Sequence, residues 1–265
     1  MSPQTYRNIH RNTSLDTHGP APVIRIGCAG WALPTAQAAR FPADGSHLAR
    51  YAQVFTSVEI NTSFYRSHQP KTYARWAATV PDAFRFSVKM PKTISHELAL
   101  RNAEVPLDRF VREVSALDQK LGCLLLQLPP SLEFERTAVQ RFFALLRGLT
   151  AVRVVCEPRH ATWFSEQAEE TMTGFGVAFV HADPAPVRGA MPPSADGGPL
   201  YMRLHGSPRI YYSAYEASFL DALANRLVQA GNAAEAVWCI FDNTASGEAV
   251  PNALALRAKV AALIG

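Results

Sequence analysis

The sequence predicts a single α/β domain folded as a (β/α)8 TIM barrel. Three observations predict it. Eight short β-rich runs alternate with longer amphipathic stretches along almost the whole chain. A length of 265 residues, 48% of them hydrophobic, suits one core of that size. Polar residues also recur on one face of strands that, in an open parallel sheet covered on both sides, would be apolar throughout.

The first strand, "VIRIGC" (23–28), leads to the helical pattern "SHLARYAQVF" (46–55), and the second, "SVEIN" (57–61), to "PKTYARWAATV" (70–80). The third, "FRFSVKM" (84–90), precedes "PLDRFVREVSALDQKL" (106–121), and the fourth, "CLLLQL" (123–128), precedes "ERTAVQRFFALLRGL" (135–149). Strand five is "VRVVCE" (152–157), followed by "SEQAEETMTGF" (165–175). After strand six, "VAFVHAD" (177–183), comes "PAPVRGAMPPSADGGP" (184–199), a surface excursion expected to replace or shorten the sixth helix. Strand seven, "LYMRLH" (200–205), leads to "YEASFLDALANRLVQA" (215–230), and strand eight, "VWCIFDN" (237–243), to "PNALALRAKVAALI" (251–264). The helical runs place apolar residues near i, i+3, i+4 and i+7. Residues 1–22 read as a flexible polar leader and 23–265 as the barrel.

Within the strands, side chains alternate between two faces. Glu59 and Asn61 share one face, as do Ser87 and Lys89, Glu157 and Arg159, and Arg203 and His205. The residues between them, such as Ile60, Val88, Cys156 and Leu204, are apolar and suit packing beneath helices. A closed barrel accounts for both faces: one meets the helices, the other the lumen. The polar residues fall late in their strands, at the end where barrel enzymes build their sites. A buried, unpaired Glu59 would cost several kcal/mol, so it needs cationic partners, which strands three, five and seven supply.

Composition narrows the class. The net charge of +4 and pI near 9.0 hint at anionic ligands, but without a run of Lys and Arg nucleic acid is not the favoured partner. No apolar stretch reaches the roughly 20 residues that span a bilayer, and the N-terminus lacks the apolar core of a signal peptide, so a cytoplasmic location is expected. Cys28, Cys123, Cys156 and Cys239 each stand singly in apolar runs and read as buried hydrophobes, with Cys28, beside Gly30, the one candidate nucleophile.

The stretches "IGCAGW", "YAQVFTSVEINTSFYR", "PDAFRFSVKMPKTISHE", "LLLQLPPSLEF", "EPRHATWF", "YMRLHG" and "FDNTASGEAVPNAL", in this order over roughly residues 24 to 256, resemble the domain of unknown function 72 family, also called YecE-like. The resemblance implies a TIM barrel and a set of candidate positions, and no substrate. The chain departs from that pattern at Cys28 and Ala29, where Thr and Ser are typical, at Pro158 where an aromatic is common, and at Asp242 where Asn is frequent.

In a barrel, Glu59, Asn61, Lys89, Glu157, Arg159, His160, Asp183, Arg203, His205 and Asn243 are expected around one mouth. Glu59 and Glu157 are the candidate acid and base, with His205 a third catalytic candidate. Lys89, Arg159 and Arg203 would bind or polarise a small anionic substrate, and Asn61, His160, Asp183 and Asn243 would orient it. An anion site is expected near the loops after strands seven and eight, where Arg203, Arg209 and Asn243 would supply donors. Trp31, Tyr65 and Tyr212, with other aromatics, would rim the mouth. Glu157, His160, Asp183 and His205 are also metal-ligand types, though without a compact metal signature. The reading is an acid–base enzyme; the rival is a non-catalytic binder of a metabolite or nucleic acid, and no cofactor or oligomeric state is specified.

Overall fold

The computed structural model describes residues 23–189, 199–231, 234 and 236–265. Eight strands, β1 (Ile24–Cys28), β2 (Ser57–Ile60), β3 (Arg85–Lys89), β4 (Leu121–Gln127), β5 (Val154–Glu157), β6 (Val177–Asp183), β7 (Leu200–Leu204) and β8 (Val237–Phe241), form one parallel sheet. The order is β1-β8-β7-β6-β5-β4-β3-β2. The two ends meet at a seam where Ala29 pairs with Glu59 and the Gly30 amide donates to the Glu59 carbonyl at 2.9 Å. The sheet therefore closes almost fully into the expected barrel. Gly27 permits this closure, because a Cβ there would stand 2.2 Å from the Ser57 carbonyl oxygen.

The helices are α1 (His47–Ala52), α2 (Pro70–Thr79), α3 (Glu104–Val114), α4 (Arg136–Leu149), α5 (Glu166–Gly174), α6 (Ala217–Gly231) and α7 (Ala249–Ile264). Their starts follow local chemistry. Ser46 caps α1 through the Ala49 amide, Ser165 caps α5 through the Ala168 amide, and Glu135 caps α4 by accepting from Thr137 and Ala138. Pro70 opens α2, where its missing N–H costs nothing. The run predicted as one helix over 106–121 breaks after Val114 into a 3-10 segment, Ser115–Lys120, in which Asp118 adopts φ 49°. Between β6 and β7 the described residues contain no helix, while residues 190–198 of that excursion, like the predicted leader 1–22, lie outside the described residues.

Alternation splits the interior into two cores. Outward-facing Ile26, Val58, Ile60, Val88, Leu124, Cys156, Leu204 and Phe241 pack under the helices. Each such side chain contributes about 1.5–3 kcal/mol relative to exposure. Inward-facing Cys123, Leu125, Val155, Val180, Tyr201, Trp238 and Ile240 fill the lumen, where Tyr201 stacks on Trp238 with centroids 5.8 Å apart. Above this plug, toward the carboxyl ends of the strands, the inward positions turn polar. Cys28 faces the outer core, its amide donating to the Tyr51 hydroxyl, and burial pushes its thiol up to about 12. That removes the nucleophile expectation, since the thiolate is the reactive form. Among the described residues no helix is long and apolar enough to cross a membrane.

Candidate functional site

Arg203, projecting inward from β7 and fully buried, is the hub of the mouth. Its Nε and Nη2 donate to Glu59 Oε2 and Oε1 at 3.0 and 2.8 Å, a side-on fork from which neither partner turns easily. Nη1 donates to Glu157 Oε2 at 2.6 Å, and Nη2 also donates to Asp242 Oδ2 at 2.8 Å. Burial alone would lower the Arg203 pKa, but the charges of Glu59, Glu157 and Asp242 raise it well above its ordinary value. Tyr201, two residues earlier on the same face, completes Glu59. Its single hydroxyl proton goes to Glu59 Oε2 at 2.9 Å, and Ser87, also at 2.9 Å, donates to the phenol oxygen.

His205 lies one inward step above Arg203 and bridges two of the same carboxylates. Nδ1 stands 3.1 Å from Asp242 Oδ2 and Nε2 stands 3.1 Å from Glu157 Oε1. Two acceptors on opposite ring nitrogens call for two N–H donors, which only the imidazolium has. Burial opposes that charge, but the bonds to Asp242 and Glu157 outweigh it and raise the His205 pKa. Burial likewise pushes Glu157 up while Arg203, His205 and Arg159 pull it well below the usual carboxylate range; Asp242 is lowered for the same reasons by Arg203 and His205.

Arg159 donates from Nε and Nη2 to Glu157 Oε1 at 3.2 and 2.9 Å, and part of its side chain reaches the surface. Lys89, at the end of β3, is 6% exposed, with its ammonium 4.0 Å from the Phe64 ring centre. Burial and then the Arg203 charge lower its pKa to about 8, against the pull of Glu59, Asp242 and Glu157. His96, whose Nδ1 pairs with Ser95 Oγ at 2.8 Å, is lowered by burial and then by the fields of Lys89 and Arg159, so the three bases share one edge of the mouth. Tyr211 stands over His205, edge to face with centroids 5.7 Å apart. It is held at φ 70° with its amide on the His205 carbonyl. A non-glycine residue in that region is strained, and such strain gathers at sites.

Other predicted members lie elsewhere. Asn243 donates to the Ser213 carbonyl and to Asn252 Oδ1, both at 2.9 Å, tying the loop after β7 to α7 instead of facing a ligand. Asp183 Oδ1 accepts from Tyr215, whose hydroxyl also accepts the Gly206 amide. His160 caps the turn Ala161–Phe164 through the Thr162 amide, with Nε2 4.0 Å from Glu133. The donor set expected beyond strands seven and eight is therefore not assembled: Arg203 is spent on carboxylates and Arg209 stacks on Tyr212, 3.9 Å from its ring centre. Nor do Glu157, His160, Asp183 and His205 converge as metal ligands, and among the described residues no group of three or more His, Cys, Asp or Glu is placed to hold an ion. Trp31 packs edge-on against Trp76 and, with Ala29, Ile60, Asn61 and the exposed Tyr65, lines a cleft of about 440 Å³ at the β1 and β2 ends.

Tyr201 and Asp242 are members that the sequence does not mark as site residues, while His96, in "ISHE", is a second-tier candidate for the site or a loop cap. Parity held the signal for the first two, since Tyr201 shares a face with Arg203, and Asp242 with Trp238 and Ile240.

The family described as "Protein of unknown function DUF72" matches residues 25–263. The chain belongs to the DUF72 family. A relative from Escherichia coli K12, UPF0759 protein YecE, is 35% identical over 153 residues, which cover 56% of each chain, so the match spans about half that relative's length. UPF0759 protein YunF of Bacillus subtilis is 22% identical over 87% of this chain and 92% of its own. A DUF72 structure from Enterococcus faecalis superposes with a TM-score of 0.76 at 20% identity, covering 90% of this chain and 96% of that one. One from Thermotoga maritima gives 0.75 at 24%, covering 90% and 99%. These DUF72 structures agree with the barrel described above; they speak to fold alone.

Proposed function

We propose that this DUF72 barrel is an enzyme that binds a small anionic substrate at its mouth and acts on it by acid–base chemistry. The observation that carries the reading is the division of labour among the buried charges. Glu59, Glu157, Arg203 and His205 satisfy one another. Arg159, bound to Glu157 through Nε and Nη2, still reaches the surface, Lys89 has no ion pair to a described residue, and Asp242 takes its bonds from Arg203 and His205 on Oδ2 alone. A purely structural filling would be apolar, because taking this many charges from water costs more than packing would.

This division changes the roles expected from sequence. Glu59 has both oxygens on Arg203 and Tyr201, so it positions Arg203 and is a poor proton acceptor. Both oxygens of Glu157 are occupied, Oε1 by Arg159 and His205 and Oε2 by Arg203, and both nitrogens of His205 already face carboxylates. Asp242 receives its two bonds on Oδ2, which frees Oδ1 to take a proton from a ligand. Arg159 and Lys89 would hold the ligand's acid group, with Asn61 and Trp31 beside it. The test is a screen of carboxylate- and phosphate-bearing compounds for turnover. The account expects Asp242→Asn to bind a found substrate and fail to convert it, whereas equal turnover by that variant would refute the assignment.

A further inference from the structure

We infer that Lys89 is an imine-forming amine, and that the mouth takes a small carbonyl compound carrying an acid group. This rests on the anion-binding reading above and names the substrate class. The chain has five lysines, Lys71, Lys89, Lys92, Lys120 and Lys259. Lys92, Lys120 and Lys259 are paired with Glu97, Asp82 and Asp221. Lys89 alone is buried, and it alone sits among three buried carboxylates without an ion pair to a described residue. The reason is geometric: Glu59, Glu157 and the Asp242 Oδ2 atom are committed to Arg203 and His205. A lysine placed for structure would take a carboxylate; this one is backed by the Phe64 ring and faces the positive field of Arg203. Desolvation beside another cation is the environment that makes a lysine nucleophilic.

The step balances without a further reactant. The Nζ lone pair attacks the carbonyl carbon and the C=O π pair moves to oxygen, giving a carbinolamine once a proton passes from nitrogen to oxygen. A second proton on that oxygen lets it leave as water while nitrogen forms the C=N bond. Asp242 Oδ1 is the group that takes a proton from the Lys89 ammonium before the attack and gives it to the carbinolamine hydroxyl as that second proton, so ammonium and carbonyl become protonated imine and water. Arg159 holds the acid group, and the protonated imine withdraws electrons from the adjacent carbon, which suits a lyase or isomerase.

Glyoxylate, an aldehyde with a carboxylate, is the probe, with sodium cyanoborohydride to fix any imine and peptide mapping to locate it. A pKa of about 8 against 10.5 gives Lys89 roughly a hundredfold more free amine at pH 8 than an ordinary lysine. Lys89 should therefore be labelled about tenfold faster than any other lysine despite its burial, more slowly at pH 6, and more slowly in excess glycolate, which has the acid group but no carbonyl. Lys89→Arg, which keeps the charge, should leave labelling of the other lysines unchanged. Labelling that merely follows exposure, in the wild-type protein alone, overturns the inference. If glycolate shifts the NMR signals of the mouth while Lys89 is not labelled, the imine falls and the anion reading stands; selective labelling that glycolate does not slow overturns the anion reading instead.

Discussion

Arg203 and Glu59 meet side-on, two nitrogens to two oxygens at 2.8 and 3.0 Å, with neither side chain reaching water. Removing one member leaves the rest uncompensated. Arg203→Met would strand Glu59, Glu157 and Asp242, and should cost about 3–5 kcal/mol in urea unfolding. Arg203→Lys should recover little of it, because an ammonium cannot make the two-pronged contact.

The fully buried positions also set a pH signature. His205 has a raised pKa, so its contribution to stability is complete below the unfolded value near 6.5 and fades as pH climbs through the folded value. The carboxylates run the other way: Glu157 and Asp242, both lowered, contribute above the usual carboxylate range and lose that contribution as pH falls. The destabilisation caused by His205→Asn should thus be larger at pH 6 than at pH 9, read from unfolding midpoints. Nitrogen-15 NMR of the wild-type ring at neutral pH should show both nitrogens protonated.

Lys89 is predicted to trade stability for reactivity. Its folded pKa, near 8, lies below the unfolded 10.5, so the charged form is disfavoured by folding at neutral pH. Lys89→Met should raise the unfolding midpoint at pH 7, and the gain should shrink as pH rises from 8 toward 10.5. A midpoint lowered at pH 7 would show that the ammonium is a structural ion.

At the barrel seam, Gly27→Ala would drive a methyl into the Ser57 carbonyl, a backbone atom that cannot move aside cheaply. A loss of about 1–3 kcal/mol is expected. Gly148→Ala, with open space at its Cβ position on α4, is the control and should be neutral or slightly stabilising.

The barrel was legible because each strand carries two messages, apolar outward and polar inward. That same parity picked out Glu59, Lys89, Glu157, Arg203 and His205 correctly as inward residues. It also argued against three others had it been applied strictly: His160, Asp183 and Asn243 fall on the opposite parity from Glu157, Val180 and Asp242, and each is tied into rim structure. What parity does not carry is pairing. That Arg203 would engage three carboxylates, leaving Lys89 unpaired, depends on side-chain reach across the lumen, which no single strand encodes.

The most direct test of the central claim is calorimetric titration of the protein with glycolate, in parallel with Arg159→Ala and Lys89→Met. The account predicts saturable binding to the wild-type protein, weakened about tenfold or more in each variant, with Arg209→Ala at the outer rim unaffected. Equal affinity in all four proteins, or loss confined to Arg209→Ala, would contradict it.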